Sequence, residues 1–428
     1  MDSAQLFSIA LGLNEPWYVK SVDLAPPAPC EKSVLRIHID FHKGAKFPCP
    51  IDGFTCEGSV HDTTTKTWRH LNFFEYKTYL TARVPRIDCG DHGVHLANVP
   101  WARLGSGFTL LFEALALLMS RGQPVAQVAE ILCEHDTRLW RFIRSYVDKA
   151  RCDVDMSAVS SLGIDETSKK GHNYITVFAD LEQKRVLDVQ SGKDSTTVGK
   201  FVQTLEEHCG KTENVKVITA DMSLGFRKGI LENFPCVQTV IDKFHLVKHL
   251  NDAVDRVRKQ EVKTNDSLRR TKYIWLKNES NLTAPQSRKL DELSKSNLKT
   301  GRAYRMRLTL QDIYESAGSR EVASTQLDKL CSWMMRTRID QMKACAKMIR
   351  SHKDEILNYW DHRLTNAMLE GLNSIIQNIK RLARGFRNDE YFTTMIYLVA
   401  GGLSFDQLMD PSKWLISEKE VAPAGAAS

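Results

Sequence analysis

The spacing of hydrophobic residues changes several times along the 428-residue chain, and each change predicts a different structure. Apolar and polar positions alternate in residues 33–41, which is typical of a half-buried strand. Two aromatic-rich stretches follow in residues 68–83. We therefore predict a small β-rich module in residues 1–100.

Helical spacing begins after this module. Residues 125–132 and 139–147 carry apolar side chains three and four positions apart, and a short connection separates them. Two short helices joined by a brief turn are typical of a helix-turn-helix, so we predict one in residues 101–155. The same pattern also occurs in helical bundles that bind no DNA.

Residues 156–245 alternate short apolar runs with helical patterns. The predicted strands are 161–164, 174–179, 186–190, 215–219 and 237–241, and the predicted helices are 196–209 and 226–234. Three strands before the first helix match the ribonuclease-H-like fold, in which those strands are antiparallel. This fold places the first and fourth strands side by side. We therefore predict a multidomain α+β protein with a ribonuclease-H-like mixed α/β core.

The remaining chain is predicted to be mostly helical. Residues 246–360 would form a large helical insertion, and residues 362–385 one long amphipathic helix in a segment, 361–410, that completes the core. Residues 411–428 are predicted to be a flexible tail. From Leu246 to Leu310 there are 16 Lys and Arg against 7 Asp and Glu, and this balance of 16 − 7 = +9 exceeds the net charge of +7. Such a basic segment suits a polyanion such as DNA, with a solvated helical face as the alternative.

The composition argues against membrane and secreted proteins. The chain has no run of 18 apolar residues, because its longest apolar stretch, residues 109–120, contains Glu113. Its N-terminus lacks the basic and then apolar pattern of a secretory signal. Ten scattered cysteines are typical of a reduced, cytoplasmic protein, in which clustered cysteines are suspected of binding metal. We expect a cytoplasmic protein without a membrane partner.

Two aspartates follow neighbouring strands of the predicted sheet. Asp165 comes after the first strand and Asp221 after the fourth, so both carboxylates are expected at the strand ends of one sheet edge. Two like charges repel at short distance unless a cation lies between them, and Mg²⁺ prefers oxygen ligands. Two such ions about 3.5–4 Å apart can hold a phosphodiester during its cleavage. The alternative is that each Asp is an ordinary turn residue.

A third carboxylate lies on the long helix predicted at residues 362–385. One face of this helix carries a single acid among amides, followed by two cations: Asn366, Glu370, Asn373, Gln377, Lys380 and Arg384. An acid suits a metal, amides suit positioning and cations suit phosphates. A solvated face is the alternative. Asp242 and Glu166 are rival acids, although Glu166 should point to the opposite face of the strand from Asp165. Asp242 could support the site indirectly, and His245 nearby has no assigned role.

A metal site of another kind is expected in the β-rich module. Structural zinc sites usually contain two Cys-x2-Cys pairs, but here Asp52 replaces the second ligand of one pair and His92 that of the other. A structural Zn²⁺ site formed by Cys49, Cys56, Cys89 and His92 is predicted, with His61 as a substitute ligand. A decayed site with free cysteines is the alternative.

Short motifs surround these residues in a fixed order. They are Gly-Ile-Asp-Glu-Thr at Asp165, Thr-Ala-Asp-Met-Ser at Asp221, Asp-Lys-Phe-His at Asp242, Asn-Ala-Met-Leu-Glu at Glu370 and Ile-Lys-Arg-Leu-Ala-Arg at Lys380. Together with the stretches Val60–Glu75 and Ala82–Arg86, they resemble the ISL3 family of bacterial insertion-sequence DDE transposases, over residues 49–405.

This resemblance implies a function and a set of site residues. It implies a catalytic triad of Asp165, Asp221 and Glu370, holding two Mg²⁺ ions for which Mn²⁺ can substitute. It implies a zinc-binding N-terminus, and DNA contacts by the insertion. The DNA contacts expected on the catalytic helix are Asn366, Asn373, Lys380, Arg381 and Arg384. The partners implied are the terminal inverted repeats and target DNA, bound by a homodimer at the bacterial nucleoid.

Three other interpretations stay open from the sequence. A non-enzymatic regulator would use the helix-turn-helix and zinc module without any carboxylate triad. A different ribonuclease-H-like nuclease, such as a junction resolvase, would cut DNA without joining it. An inactive copy of a transposase is the third, because Asp52 and His92 depart from the usual zinc pattern.

Overall fold

The computed structural model describes residues 2–25, 34–51, 56–170, 173–362 and 367–405. The chain divides into two compact units. The first contains residues 1–151 and 379–398, and the second contains residues 152–378 and 399–402. The predicted tail, residues 411–428, lies outside the described residues.

A six-stranded sheet forms the beginning of the first unit. Its elements are α1 (Ser3–Ala10), β1 (Trp17–Ala25), β2 (Val34–Phe41), β3 (Lys46–Pro48), β4 (Glu57–Arg69), β5 (Lys77–Cys89) and β6 (Gly93–Leu96). The strand order is β1-β2-β5-β4-β3, with β6 paired to β5. The alternation predicted in residues 33–41 is observed, because alternate β2 side chains from Leu35 onward are buried against Trp17 and Trp68.

Three helices follow the sheet: α2 (Leu110–Ser120), α3 (Val125–Leu132) and α4 (Asp136–Cys152). Helices α3 and α4 are the two predicted from the apolar spacing. The turn between them is held by side chains from the sheet. Arg69, which is 2% exposed, donates to the carbonyl of Leu132 at 3.4 Å, and Lys77 donates to the carbonyl of Cys133 at 3.0 Å. These contacts satisfy carbonyls at the end of α3, so the sheet fixes the turn of the helix pair.

His70, the residue directly after β4, also contacts the start of α2. His70 Nδ1 lies 2.9 Å from Oγ1 of Thr109, the N-cap residue of α2. Burial and the neighbouring Arg69 guanidinium lower the pKa of His70 to about 4. The neutral imidazole is therefore the form that suits the folded unit.

This lowered pKa predicts an acid-sensitive contribution to stability. Because the folded pKa is below the unfolded value of 6.5, the contribution is complete above pH 6.5 and is lost as the pH falls toward 4. His70→Gln should lack this pH dependence. The free energy of unfolding of the wild type, measured against that of His70→Gln, should therefore fall by roughly 3 kcal/mol at most between pH 6.5 and pH 4. Hydrogen exchange of β4 and β5 in both proteins measures the difference. An identical pH profile for the two would contradict the prediction.

A five-stranded sheet forms the beginning of the second unit. Its elements are β7 (Ser161–Lys170), β8 (Asn173–Asp180), β9 (Arg185–Ser191), α5 (Ser195–Glu207), β10 (Val217–Ala220), α6 (Leu224–Asn233) and β11 (Gln238–Ile241). The order is β11-β10-β7-β8-β9, with β7, β8 and β9 antiparallel and β10 parallel to both β7 and β11. The predicted pairing of the first and fourth strands is therefore confirmed.

Helices make up the rest of this unit. They are α7 (Lys243–Glu261), α8 (Lys272–Leu276), α9 (Ala284–Ser294), α10 (Lys299–Ser316), α11 (Arg320–Arg336), α12 (Asp340–Ser351), α13 (Lys353–His362) and α14 (Ala367–Leu382). Helix α14 continues into the first unit, where α15 (Asp389–Ala400) follows it. Across the described parts of the chain, no helix is both long and apolar enough to cross a membrane.

One glycine permits α14 to pack against β7. A Cβ added to Gly163 would lie only 2.7 Å from a methyl of Leu369 and 2.8 Å from one of Leu181. Both separations are far shorter than an ordinary carbon contact, so any larger residue would displace the helix. The residue two positions before Asp165 therefore fixes how close α14 comes to that strand.

The predicted end of the first strand was wrong. Strand β7 does not end before Asp165 but runs to Lys170, because its backbone remains paired with β8 beyond the apolar residues. The helix predicted at residues 362–385 is observed as α14 over Ala367–Leu382, and residues 363–366 lie outside the described residues. Hydrophobic spacing misses the end of β7, since backbone pairing determines it.

Candidate functional site

Three aspartates meet at one edge of the five-stranded sheet. Asp165 lies inside β7, Asp221 follows β10, and Asp242 follows β11 and caps α7. The local chain orients two of them: Asp221 accepts a hydrogen bond from the Ser223 amide at 2.7 Å, and Asp242 accepts one from the Phe244 amide at 2.9 Å. Three adjacent strands thus place three acids side by side, although they are distant in sequence.

His245 lies among these acids. Its Nε2 is 3.9 Å from Asp165 Oδ1 and 3.7 Å from Asp242 Oδ2, and its Nδ1 is 4.0 Å from Asp221 Oδ2. The acid side chains are only 5 to 17% exposed, and the imidazole is 26% exposed. A cluster of negative charge is therefore concentrated around a single partly exposed ring.

Glu370 approaches this cluster from α14. Its Oε1 atom is buried and has no hydrogen-bond partner among the described residues. Burial, together with the charges of Asp242 and Asp165, raises the pKa of Glu370 above its usual value. Burial also raises the pKa of Asp165, and the charge of Asp242 adds to that effect. The negative charges of Glu370 and Asp165 are thus not fully balanced by positive groups or hydrogen-bond donors of the protein.

Two amides on the next turns of α14 attach the helix to β7. Asn373 donates from Nδ2 to Oδ2 of Asp165, and Gln377 donates from Nε2 to Oγ1 of Thr167 at 2.8 Å. Asn373, predicted to contact DNA, therefore contacts a carboxylate of the cluster. These bonds fix the helix rotation that directs Glu370 toward the acids, because residues three and seven positions apart share a helix face.

This arrangement suits divalent cations. Partly buried carboxylates with raised pKa values and one unpartnered oxygen repel one another, and a cation bound by oxygen ligands would remove that repulsion. Mg²⁺ usually takes one or two carboxylates and keeps several waters, which is compatible with the partial exposure of the acids. The cluster has both the donor atoms and the excess negative charge for metal ions.

The other predicted residues lie elsewhere. Glu166 points away from Asp165, and its carboxylate lies 3.8 Å from Nζ of Lys193. Lys380, Arg381 and Arg384 follow in the part of the chain that belongs to the first unit, where Arg381 and Arg384 are exposed. Asn366 and Asp52 lie outside the described residues.

His245 is the residue of this cluster to which the sequence assigned no role. The only available signal was its position three residues after Asp242 on a helix, which places both side chains on one face. His245 lies near Asp165 and Asp221 only because β7, β10 and β11 pair in one sheet. The sequence around His245 does not predict that pairing.

We expect His245→Ala to weaken metal binding at the acidic cluster. The imidazole lies 3.7 to 4.0 Å from three carboxylates, and losing a side chain that supports metal ligands typically costs about 10–100-fold in metal affinity. The affinity for a divalent cation such as Mg²⁺, measured by titration calorimetry, should fall by about that factor. His249→Ala, one turn further along α7, is the matched control. An unchanged metal affinity in His245→Ala would contradict this role.

A second cluster lies in the first unit, where two hairpins approach each other. Cys49 and Cys56 flank the β3–β4 connection, and the Cys49 amide donates to the Cys56 carbonyl at 2.8 Å. Cys89 ends β5, and His92 precedes β6. The metal-binding atoms of these residues all lie within 4.8 Å of one another. His61 is not among them, and its Nδ1 lies 3.5 Å from Asp62 instead.

The distances within this second cluster are close to those of a metal site. Cys56 and Cys89 sulfurs are 3.1 Å apart, and His92 Nδ1 lies 3.5 Å from Cys89 Sγ and 3.7 Å from Cys49 Sγ. Hydrogen bonds with Cys56 and His92 lower the pKa of the Cys89 thiol to about 6. Three sulfurs and one imidazole nitrogen form the ligand set of many structural zinc sites.

The acidic cluster on a mixed α/β sheet, joined to a helix-turn-helix and a Cys/His cluster, defines a DDE-type nucleic-acid-processing enzyme. Comparison with known families gives the same class. Residues 162–396 match the transposase model of the ISL3 family, which is more than half of the chain. Residues 97–147 match the helix-turn-helix domain of transposase family ISL3. Residues 45–92 match the zinc-finger of transposases IS204, IS1001, IS1096 and IS1165. The chain therefore belongs to the ISL3 family of transposases.

Two curated relatives extend over most of the chain. The transposase for insertion sequence element IS1557 of Mycobacterium tuberculosis is 26% identical over 436 residues, covering 94% of this chain and 96% of the relative. The transposase for insertion sequence element IS1001 of Bordetella parapertussis is 28% identical over 365 residues, covering 80% of this chain and 86% of the relative. The similarity therefore includes the N-terminal modules as well as the acidic cluster.

Proposed function

We propose that the protein cuts DNA at the ends of its own insertion sequence and joins the released 3′ ends to target DNA. Asp165, Asp221 and Glu370 are the proposed metal ligands. Mg²⁺ is the proposed ion, two per site, with Mn²⁺ able to replace it. The unpartnered Oε1 of Glu370, held beside acids that raise its pKa, is the observation that carries this proposal.

The residues of the chain have distinct roles in this reaction. When bound, the metal ions would activate a water and then a 3′-hydroxyl against a phosphodiester. Asn373 holds Asp165, and Gln377 holds Thr167 on the same strand, so that Glu370 stays directed at the same point. Lys380, Arg381, Arg384 and Asn366 are proposed to contact the DNA backbone. The strand order and its antiparallel start support a ribonuclease-H-like core, with helices α7–α13 as its insertion.

The N-terminal modules are proposed to recognise the terminal repeats. A Zn²⁺ held by Cys49, Cys56, Cys89 and His92 would stabilise the hairpins beside the helix-turn-helix. Two ends must be cut together, so we propose that a homodimer acts on the paired ends. The catalytic assignment distinguishes this enzyme from a regulator, and the joining of the cut ends distinguishes it from a nuclease that only cuts.

Incubating the purified protein with labelled terminal-repeat DNA tests the proposal. Mg²⁺ should produce cleavage at the repeat boundary and, with added target DNA, joined products. Ca²⁺ is expected to support binding with little cleavage. Binding without cleavage in Mg²⁺ or Mn²⁺ would favour a regulator or an inactive copy. Cleavage without any joined product would favour a nuclease of the resolvase kind. Asp165→Asn should abolish both steps in a transposase and leave a regulator unaffected.

A further inference from the structure

Helix α4 is the last helix of the matched helix-turn-helix domain, and it carries four arginines: Arg138, Arg141, Arg144 and Arg151. Their spacing along the helix does not reveal which of them contact DNA. The structure separates them by the surroundings of each helix face. One face is buried in the first unit by side chains such as Leu139, Ile143 and Val147.

A second face of α4 is covered by α15. Trp140 stacks on Tyr391 with ring centroids 4.1 Å apart and planes 5° apart. Arg144 forms an ion pair with Glu390 at 3.0 Å, and the Arg151 guanidinium lies 3.7 Å from the centre of the Tyr397 ring. Trp140, Arg144 and Arg151 lie on one face of the helix, and each of them contacts α15. Arg144 and Arg151 therefore contact α15 within the unit, although the side chain of Arg144 is 41% exposed, close to the 44% of Arg138.

The third face of α4 is exposed to solvent. Its exposed residues are Thr137, Arg138, Arg141, Ser145 and Lys149, together with one acid, Asp148, so that three basic side chains face one acidic one. We call this set the α4 stripe. Its basic and hydroxyl groups are of the kinds that bind phosphates and base edges. Because the helix is about 10–12 Å wide with its side chains, the stripe would fit the major groove of duplex DNA.

A cleft of about 260 Å³ lies beside the stripe. Arg138, Arg141 and Ser145 line one part of it, and the loop of residues 103–108 lines another. The Arg138 guanidinium is oriented by the Phe108 ring at 4.3 Å and by an ion pair with Glu134. Glu113 also lines the cleft, but Arg103, Ser106 and Tyr146 all donate to its carboxylate. The acid is therefore neutralised within the protein and does not oppose a phosphate.

From this division of faces we infer that the α4 stripe, and Arg138 and Arg141 in particular, contact the terminal DNA, with a backbone phosphate held at the adjoining cleft. Arg144 and Arg151 have no DNA contact and instead hold α15 in place. That this DNA is the terminal repeat of the insertion sequence rests on the proposed function. The inference goes beyond the family assignment, because it specifies which arginines of one helix bind and which do not.

Paired substitutions in the same helix test the inference. Fluorescence anisotropy with a labelled terminal-repeat duplex, in Ca²⁺ buffer, gives the affinity at several salt concentrations. Arg138→Ala with Arg141→Ala should weaken binding at least about tenfold and lower the salt slope by roughly 1 for each lost phosphate contact. Arg144→Ala with Arg151→Ala should keep the wild-type salt slope. Arg144→Gln alone removes that cation while keeping the Trp140–Tyr391 and Arg151–Tyr397 contacts, so it supplies a control if the second pair folds poorly.

Each outcome supports or overturns the inference. Weaker binding only in the Arg138 and Arg141 pair supports it. Unchanged binding in that pair, or an equal loss of salt slope in the Arg144 and Arg151 pair or in Arg144→Gln, overturns it. Because the assay needs no cleavage, a wild type that binds as expected yet never cuts would contradict the proposed catalysis and leave this interface standing.

Discussion

Replacing Glu370 by Gln is expected to eliminate DNA cleavage while leaving DNA binding intact. The amide keeps the size of the side chain but cannot supply an anionic oxygen to a cation. Loss of one ligand from a metal clamp that contributes several kcal/mol to the transition state should reduce the cleavage rate by more than about 10³-fold. Labelled terminal-repeat DNA in Mg²⁺ measures the rate, and anisotropy in Ca²⁺ measures binding.

Glu370→Gln should keep or raise the stability of the metal-free protein, although it eliminates cleavage. Because burial and neighbouring acids raise the pKa of Glu370, its ionised form is disfavoured in the metal-free fold. Neutral Gln removes that cost, so the metal-free variant should melt at the wild-type temperature or above. The increase in melting temperature on adding Mg²⁺ should be lost. A destabilised Glu370→Gln would instead indicate a structural role for this carboxylate.

Two further variants locate the third acid. Glu166→Gln changes the residue beside Asp165, but its carboxylate faces Lys193, so cleavage should stay near the wild-type rate. Asp242→Asn tests the rival acid, which lies 3.7 Å from His245. If Glu370→Gln cut DNA normally and Asp242→Asn did not, Asp242 would replace Glu370 in the proposed triad.

Replacing Cys89 by Ser is expected to remove zinc and with it most of the DNA binding. Structural zinc contributes about 10–16 kcal/mol to folding in small zinc-finger peptides. Here the hairpins also rest on a hydrophobic core that includes Trp17, Phe47 and Trp68, so the loss should be several kcal/mol rather than complete unfolding. Metal analysis should fall from one zinc per chain to none, and affinity for the terminal repeat should fall at least about tenfold.

His61→Ala is the control for Cys89→Ser. His61 was the substitute ligand, but its imidazole contacts Asp62 outside the cluster, so His61→Ala should retain zinc and bind DNA normally. Cys152→Ser removes an exposed cysteine remote from the cluster in sequence and should also be silent. Full zinc content in Cys89→Ser, or zinc loss in His61→Ala, would show that the ligand set is different.

The sequence alone determined the order and type of the elements. Alternation in residues 33–41 became a strand of the first sheet, and helical spacing at residues 125–132 and 139–147 became α3 and α4. Strand order also followed, because three short strands before a helix predicted that the first would pair with the fourth. These features depend on residues close in sequence, which hydrophobic periodicity reports directly. Strand ends and one helix face supplied the candidate acids, cysteine spacing supplied the four members of the Cys/His cluster, and the family resemblance assigned three of the acids to a catalytic triad.

Only the tertiary structure decided which side chains act together. Asp165, Asp221 and Asp242 come from three strands, and their common contact with His245 exists only after those strands pair. The amide of Asn373 could not be assigned to Asp165 by periodicity, since that contact spans 208 positions. Likewise, four arginines of α4 look equivalent until α15 returns to cover two of them. Local spacing determines what each segment forms, whereas long-range packing determines which polar groups are left to bind a metal ion or DNA.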